Sequence, residues 1–436
     1  LDQLVDRTPQ DFAMTGVPEP AEEQRLTEVR KLLGGIGADM VAAGAAVDGV
    51  RDRLQRVALA YRVAKSQIVV LPTVILIELG AGERTQIQVN SPETGSLRFD
   101  QIDALYRLET ACEGGQVEPV AALGQLTQIR TMAPPYPAAV RVLGHGLLTA
   151  GLSLLLQPSL LQAGVCFALG IFIGLLKLPR LPTLELLFPI LATFVVSLTV
   201  FWLSVHVDDL ANPLRILIPP LVTFLPAGAM TTATVELAAG EMIAGSSRLV
   251  WGLVRLMMLA FAILAAATLV NLPLTYLIDA PIDQLGAWAP WLGVILMAVG
   301  HLLLFSSRRS TLPWITLVLI VAYAGQTLGA HVFDPELSGF FGAFAMTPLV
   351  LWLEDRPYGP PAIITFLPGF WLLVPGATGL IGLTEIIGID RQSGGHDFAS
   401  ALLAIMSIAL GVLVATSVYR TADASYRAAR HRLDTQ

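Results

Sequence analysis

From residue 140 onward the chain is a succession of apolar stretches, and this constrains what it can fold into more than any other feature. Ten such segments lie near 140–157, 160–178, 186–206, 214–235, 248–270, 289–306, 311–328, 337–353, 362–384 and 398–419. The hydrocarbon core of a bilayer takes about 20 helical residues to cross, so segments of this length and polarity read as transmembrane helices. Residues 1–139 differ: they hold 13 Lys+Arg and 18 Asp+Glu, about half of all the charges in the chain. A polar N-terminal domain is therefore followed by a membrane domain. Only 14% of the residues are charged, 54% are hydrophobic and the mean hydropathy is +0.66, against about 25% charged in a typical soluble domain. This composition argues against an ordinary soluble enzyme and excludes a disordered chain. A net charge of −7 argues against a nucleic-acid partner. Two cysteines, Cys112 and Cys166, supply neither a disulfide framework nor a Cys-rich metal site, and no cofactor or metal is expected.

The N-terminal domain, taken as residues 1–135, reads as a small α+β unit. Leu32, Leu33, Ile36, Met40 and Val41 recur at helical spacing within 24–62, which predicts one or two amphipathic helices there. The apolar run over 67–79 is too short to span a bilayer and reads as one buried strand, followed by a second strand over Thr85–Val89. Helices are predicted near 99–114 and 116–131. No nucleophile elbow, P-loop or HExxH is present, so the domain reads as a structural or assembly module. The start, LDQLVDRTPQDFAMTG, has no basic region or apolar core, and no secretory signal is expected there.

Basic residues orient the membrane domain. With the N-terminus inside, inward loops carry Lys177, Arg180, Arg248, Arg308, Arg309 and Arg356, and the tail, 420–436, carries Arg420, Arg427, Arg430 and Arg432. Outward loops carry only Arg215 and Arg391. Both termini are expected in the cytoplasm.

The membrane domain also repeats. Pro219, Pro226, Glu236 and Glu241 correspond to Pro368, Pro375, Glu385 and Asp390, each pair 149 residues apart. The same offset lays the first segment on the sixth and the fifth on the tenth. Residues 140–270 and 289–419 are thus two repeats of five spans. Because five is odd, they must enter the membrane in opposite directions, the inverted-repeat design of many secondary transporters. The expected fold class is a membrane all-α protein of ten transmembrane helices in two inverted five-helix repeats, plus the small α+β domain.

In such folds the site lies near interrupted helices at the repeat interface. Proline removes a backbone donor and glycine weakens the helix further. Pro219, Pro226 and Gly228, with Pro368, Pro375 and Gly376, are therefore the candidate helix breaks. A freed helix N-terminus suits a carboxylate. Glu236 and Glu385, each ten residues past its break, suit an ammonium group or a proton. Thr231, Thr232 and Thr378 suit a small polar side chain. Glu241 and Asp390 complete the candidate set, although an interfacial position suits them better. The alternatives are kinks that serve only packing and carboxylates that are solvated at span ends. His145 and His301 read as hydrogen-bonded helix contacts, and Arg255 as a residue that pairs or snorkels.

With these features in view, nearly the whole chain resembles the threonine/serine exporter family. The resemblance rests on GADMVAAGAAVDGVRDRLQRVALAY and ETACEGGQVEPVAAL in the polar domain, on FLPAG, VEL and AGSSRL in the first repeat, and on PPAIITFLPGFWLLVPGATGLIG in the second. Pro226-Ala227-Gly228 departs from the Pro-Gly toward which the family tends. The resemblance implies export of threonine and serine across the cytoplasmic membrane, coupled to the proton gradient. The partners would be an amino-acid substrate, protons and lipid, and a homo-oligomer is compatible with the sequence. The competing classes are a membrane-embedded enzyme or sensor using the N-terminal domain, and a passive channel. Membrane enzymes usually show clustered His, Asp or Ser motifs, and none is visible. No GxxxxGK[ST] supports an ATP-driven pump.

Overall fold

A computed structural model describes residues 20–63, 65–81, 84–92, 97–156, 159–179, 187–207, 210, 213–272, 285–333, 337–356, 359–373, 380 and 391–434. The protein is mostly helical, with one small sheet, and divides into two compact units: residues 1–97 with 101–133, and residues 98–100 with 134–436.

In the first unit α1 (Pro20–Ala42) and α2 (Val47–Ala60) lie against an antiparallel sheet of β1 (Ser66–Leu71), β2 (Val74–Ala81) and β3 (Arg84–Asn90), in that order. α3 (Phe99–Glu113) and α4 (Pro119–Thr131) follow. The period-2 alternation of β2 turns Ile75, Ile77 and Leu79 inward. They meet Leu32, Leu33, Ile36 and Met40 of α1 and Leu54 of α2 in a core where all are at most 2% exposed. Gly37 lets the elements close, since a Cβ there would lie 2.8 Å from Leu54 and 3.0 Å from Ile75. The single strand expected over 67–79 is a hairpin instead: Leu71 pairs with Val74, and Pro72–Thr73 form a two-residue turn. Proline cannot donate to the ladder, so the chain folds back at Pro72, which interrupts the apolar run that suggested one strand.

The second unit contains α5 (Ala138–Leu155), α6 (Leu160–Leu176), α7 (Phe188–His206), α8 (Pro213–Leu221), α9 (Ala227–Ala238), α10 (Met242–Val270), α11 (Ala289–Leu304), α12 (Leu312–Val332), α13 (Ser338–Glu354), α14 (Ala362–Leu372) and α15 (Arg391–Asp434). Among the described residues five helices are long and apolar enough to cross a membrane: Ala138–Leu155, Phe188–His206, Met242–Val270, Arg309–Val332 and Leu402–Tyr426. The pair Pro213–Phe224 and Ala227–Ala238, bent by 64°, makes a sixth if taken as one span. Leu160–Leu176, Ala289–Leu304, Ser338–Glu354 and Ala362–Leu372 are apolar but shorter. The long α15 continues past the tenth apolar segment through the basic tail.

Small residues set the packing, as expected where lipid tails supply no hydrophobic drive between helices. α5 and α11 run antiparallel in close contact. A Cβ on Gly144 would meet Leu304 N and Gly300 O, and one on Gly151 would meet Met297 N and Gly293 O. Conversely, a Cβ on Gly293 would meet Gly151 O, and one on Gly300 would collide with Leu148 N and Gly144 O. α6 begins with a capping box: Ser159 Oγ accepts from Gln162 N, and Gln162 Oε1 accepts from Ser159 N, both at 3.1 Å.

Candidate functional site

The interruption between α8 and α9 follows directly from sequence. Pro219 and Pro220 lie inside α8. A proline at 220 cannot supply the N–H that Ile216 O would otherwise accept; the Cys166 thiol donates to that carbonyl instead, at 3.4 Å. The chain tightens into a 3₁₀ turn over Val222–Phe224, and Pro226 then becomes the N-cap of α9. The break is buried, with Pro219, Pro220 and Pro226 all inaccessible. At Gly228 a Cβ would come within 3.0 Å of Leu367, so the start of α9 lies against α14, beside its internal Pro368.

Several polar side chains gather at this break. Arg255 Nε, from α10, donates to Phe224 O at 2.8 Å, a carbonyl the interruption leaves without its helical partner. Lys177, at the end of α6, donates to Thr223 Oγ1. Its Nζ lies 3.5 Å from His145 Nε2 and 4.6 Å from the Phe224 ring centroid. His145 is fully buried on α5, 3.4 Å from Thr223 Oγ1 and 3.5 Å from Thr149 Oγ1, so it is the hydrogen-bonded contact expected. His301 is not: it is equally buried, but neither ring nitrogen has a hydrogen-bond partner among the described residues. Its ring lies 4.8 Å from Phe305 and 5.8 Å from Trp371, centroid to centroid, so aromatic faces replace the expected partners.

Glu236 is neither solvated nor at a free helix end. It is completely buried near the end of α9, and its Oε2 lies 3.1 Å from Arg248 Nε on α10, whose side chain is 12% exposed. Gly245 holds the two helices together, since a Cβ there would sit 2.6 Å from Ala233 O. Glu241 is the N-cap residue of α10 without a side-chain cap bond, and its N–H donates to Glu236 O at 2.8 Å. Thr231 is buried and donates to Ala227 O at 3.0 Å, so its hydroxyl proton is used within the helix. Thr232 is partly exposed on the same helix. Pro375, Gly376, Thr378, Glu385 and Asp390 lie outside the described residues.

The sequence reading singled out Glu236 and Pro226 but treated Lys177 and Arg248 only as loop charges that fix orientation. The available signal was position: Arg255 lies well inside the apolar α10, and Arg248 lies seven residues before it. An ionisable residue within a span is a functional candidate.

A family model described as "putative threonine/serine exporter" matches residues 31–270. The chain belongs to this family. The match covers the polar unit from α1 onward and the membrane segments through α10, including the break at Pro226 and the Glu236–Arg248 pair. No curated protein and no solved structure matches the chain. Membership in this family, together with the apolar helices, makes the chain a multi-pass membrane protein of a transporter family.

Proposed function

We propose that the protein exports threonine and serine across the cytoplasmic membrane by proton antiport. The observation that carries this reading is the family match over 31–270. The interrupted α8–α9 segment with its buried polar groups supports it, since discontinuous helices form the substrate sites of many secondary transporters.

The scaffold we propose has ten transmembrane helices in two inverted repeats, 140–270 and 289–419, behind a cytoplasmic domain, 1–135, with a cytoplasmic tail, 420–436. Helix starts support the repeat. Pro213 and Ala362, and Met242 and Arg391, lie 149 residues apart, and Phe188 and Ser338 lie 150 apart. So do the contacts between α5 and α11. Gly144 and Gly293 are equivalent under the 149-residue offset, as are Gly151 and Gly300. Gly144 meets Gly300 while Gly151 meets Gly293. Exchanging the halves turns one contact into the other, which is the self-complementary pattern of a two-fold axis.

Export against a gradient needs an energy source, and the chain has no nucleotide-binding loop. Glu236 and, by the repeat, Glu385 are the proposed proton carriers, with Glu241 and Asp390 beside them. Protonation removes the charge that holds Arg248, so occupancy by a proton and the ion pair exclude each other. Thr231, Thr232 and Thr378 are the proposed contacts for the substrate hydroxyl. Counterflow of labelled threonine in proteoliposomes, with and without a pH gradient, tests the proposal. Threonine exchange accelerated by an imposed pH gradient is expected. No exchange refutes export, and exchange indifferent to the gradient refutes proton coupling.

A further inference from the structure

The break at Pro226 carries more positive charge than its surroundings balance. Lys177 and Arg255 both converge on one residue, Phe224: the ammonium lies over its ring and the guanidinium binds its carbonyl. Their other neighbours, Thr223, His145 and Trp251, bring no formal negative charge. Among the described residues no carboxylate lies within 4.0 Å of either cation. Both side chains are only partly buried, so the pair is not sealed within the core. Two residues after Phe224, Pro226 caps α9, and the unpaired N–H groups of that helix's first turn add further positive potential. Cations held this way are costly unless an anion joins them.

The proposed repeat gives these charges no counterpart in the other half of the sequence. Under the 149-residue offset, His145, Lys177, Thr223 and Arg255 correspond to Val294, Gln326, Leu372 and Ala404. None of these four residues carries a formal charge.

We propose that Lys177 and Arg255, with Thr223 and the first turn of α9, form an oxyanion site that takes the α-carboxylate of the exported amino acid. This rests on the export reading above. Lys177 supplies a compact cation, and Arg255 has guanidinium N–H groups beyond the one spent on Phe224 O, in a geometry that suits a carboxylate. Glu236 lies nine residues beyond Ala227 on α9, about 14 Å along the axis at 1.5 Å per residue. One amino acid cannot reach both points, so the carboxylate site and the Glu236–Arg248 pair act at separate places.

An anionic lipid headgroup presents the same oxyanion chemistry, and the experiment separates the two sources. Counterflow of labelled threonine is measured in liposomes of phosphatidylcholine alone and of phosphatidylcholine with phosphatidylglycerol. Unlabelled threonine and threonine methyl ester, which lacks the carboxylate, compete. In parallel, the thermal shift of the detergent-solubilised protein is read with each compound. For wild type, threonine is expected to compete at least tenfold better than the ester in both lipids, and to raise the unfolding temperature where the ester does not. Lys177→Gln and Arg255→Gln should lose that preference, and Lys177→Arg should retain it. If Lys177→Gln does not fold, Arg255→Gln and Thr223→Val carry the comparison. Equal shifts from acid and ester, no shift from either, or an undiminished preference in folded variants overturns the site. A variant effect confined to phosphatidylglycerol vesicles also overturns it and assigns the oxyanion to lipid. Absent wild-type counterflow refutes the export reading itself, and the thermal shift still decides whether the site takes a carboxylate.

Discussion

Removing Arg248 alone from the Glu236–Arg248 pair should damage the protein more than removing both partners. Glu236 is fully buried, Arg248 Nε is 3.1 Å away with its side chain 12% exposed, and Gly245 lets α9 and α10 approach closely. Breaking a buried pair by deleting one member typically costs about 3–5 kcal/mol, because a charge is left without its partner. Arg248→Met leaves the carboxylate in that position. Glu236→Gln is milder, since the amide oxygen can still accept from the guanidinium, and about 1–3 kcal/mol is expected. The double variant removes both charges from an apolar helix contact and should lie within about 1–2 kcal/mol of wild type, as when buried pairs elsewhere are replaced by neutral groups. The coupling between the two sites is then at least about 2 kcal/mol. Denaturant unfolding of the detergent-solubilised protein, run as a double-mutant cycle, measures it. Additive single effects would refute the pairing. The same proteins test transport: Glu236→Gln should retain threonine counterflow at equal pH and lose its acceleration by a pH gradient. A wild-type response to the gradient would remove Glu236 from the proton path.

Three further outcomes are expected. Gly300→Val should destabilise the protein by about 3 kcal/mol, the upper part of the usual range for overpacking, because its Cβ would collide with Leu148 N, while Gly164→Ala, with open space around its Cβ, should be tolerated; equal expression and unfolding midpoints for the two would contradict the α5–α11 crossing. Burial holds the Glu109 carboxyl above its ordinary range, against the pull of Arg53, so the folded unit keeps a proton that the unfolded chain releases. That contribution is complete below the unfolded value, about 4.3, and is lost as pH rises through the raised one; Glu109→Gln should therefore gain on wild type with rising pH, read by hydrogen exchange of α3 in the full chain, and a gap that stays flat or shrinks argues against it. Ser91→Cys, at an exposed position beyond β3, should resist an impermeant thiol reagent added to intact cells, and with Cys112 and Cys166 buried any strong labelling from outside would reverse the orientation.

The features legible in the sequence were those with a local physical signature. Helical periodicity located α1 to α4, and the prolines located the break at Pro226, because a missing N–H interrupts a helix wherever it occurs. The hairpin at Pro72–Thr73 was missed because β1 and β2 are apolar up to the turn, which lacks the Asn-Gly or Asp-Gly signal of tight hairpins. Glu236 was found as an acid in an apolar segment. Its partner was not, because Arg248 is twelve residues away in sequence and meets it only when α9 folds back on α10. The cluster at Phe224 was hidden for the same reason: His145, Lys177, Thr223 and Arg255 come from four separate stretches of chain, and only packing brings them together.

Repetition and chemistry divide differently over the molecule, and the substrate supplies a reason. In the proposed two-fold scaffold packing requirements are the same in both halves, and Gly144 and Gly151 recur as Gly293 and Gly300 where the backbones meet. An amino acid has no such symmetry: it carries one carboxylate and one ammonium. A site for its carboxylate is needed once, and a second copy would place two more partly buried cations without an anion to offset them. The single-copy positions, Lys177 and Arg255 against Gln326 and Ala404, are therefore where the proposed symmetric framework would become specific for an asymmetric ligand. A proton carries no orientation, and the acid proposed to bind it, Glu236, recurs as Glu385. Under the two proposals, then, the acid present in both halves serves coupling, and Lys177 and Arg255, present in one half, serve recognition.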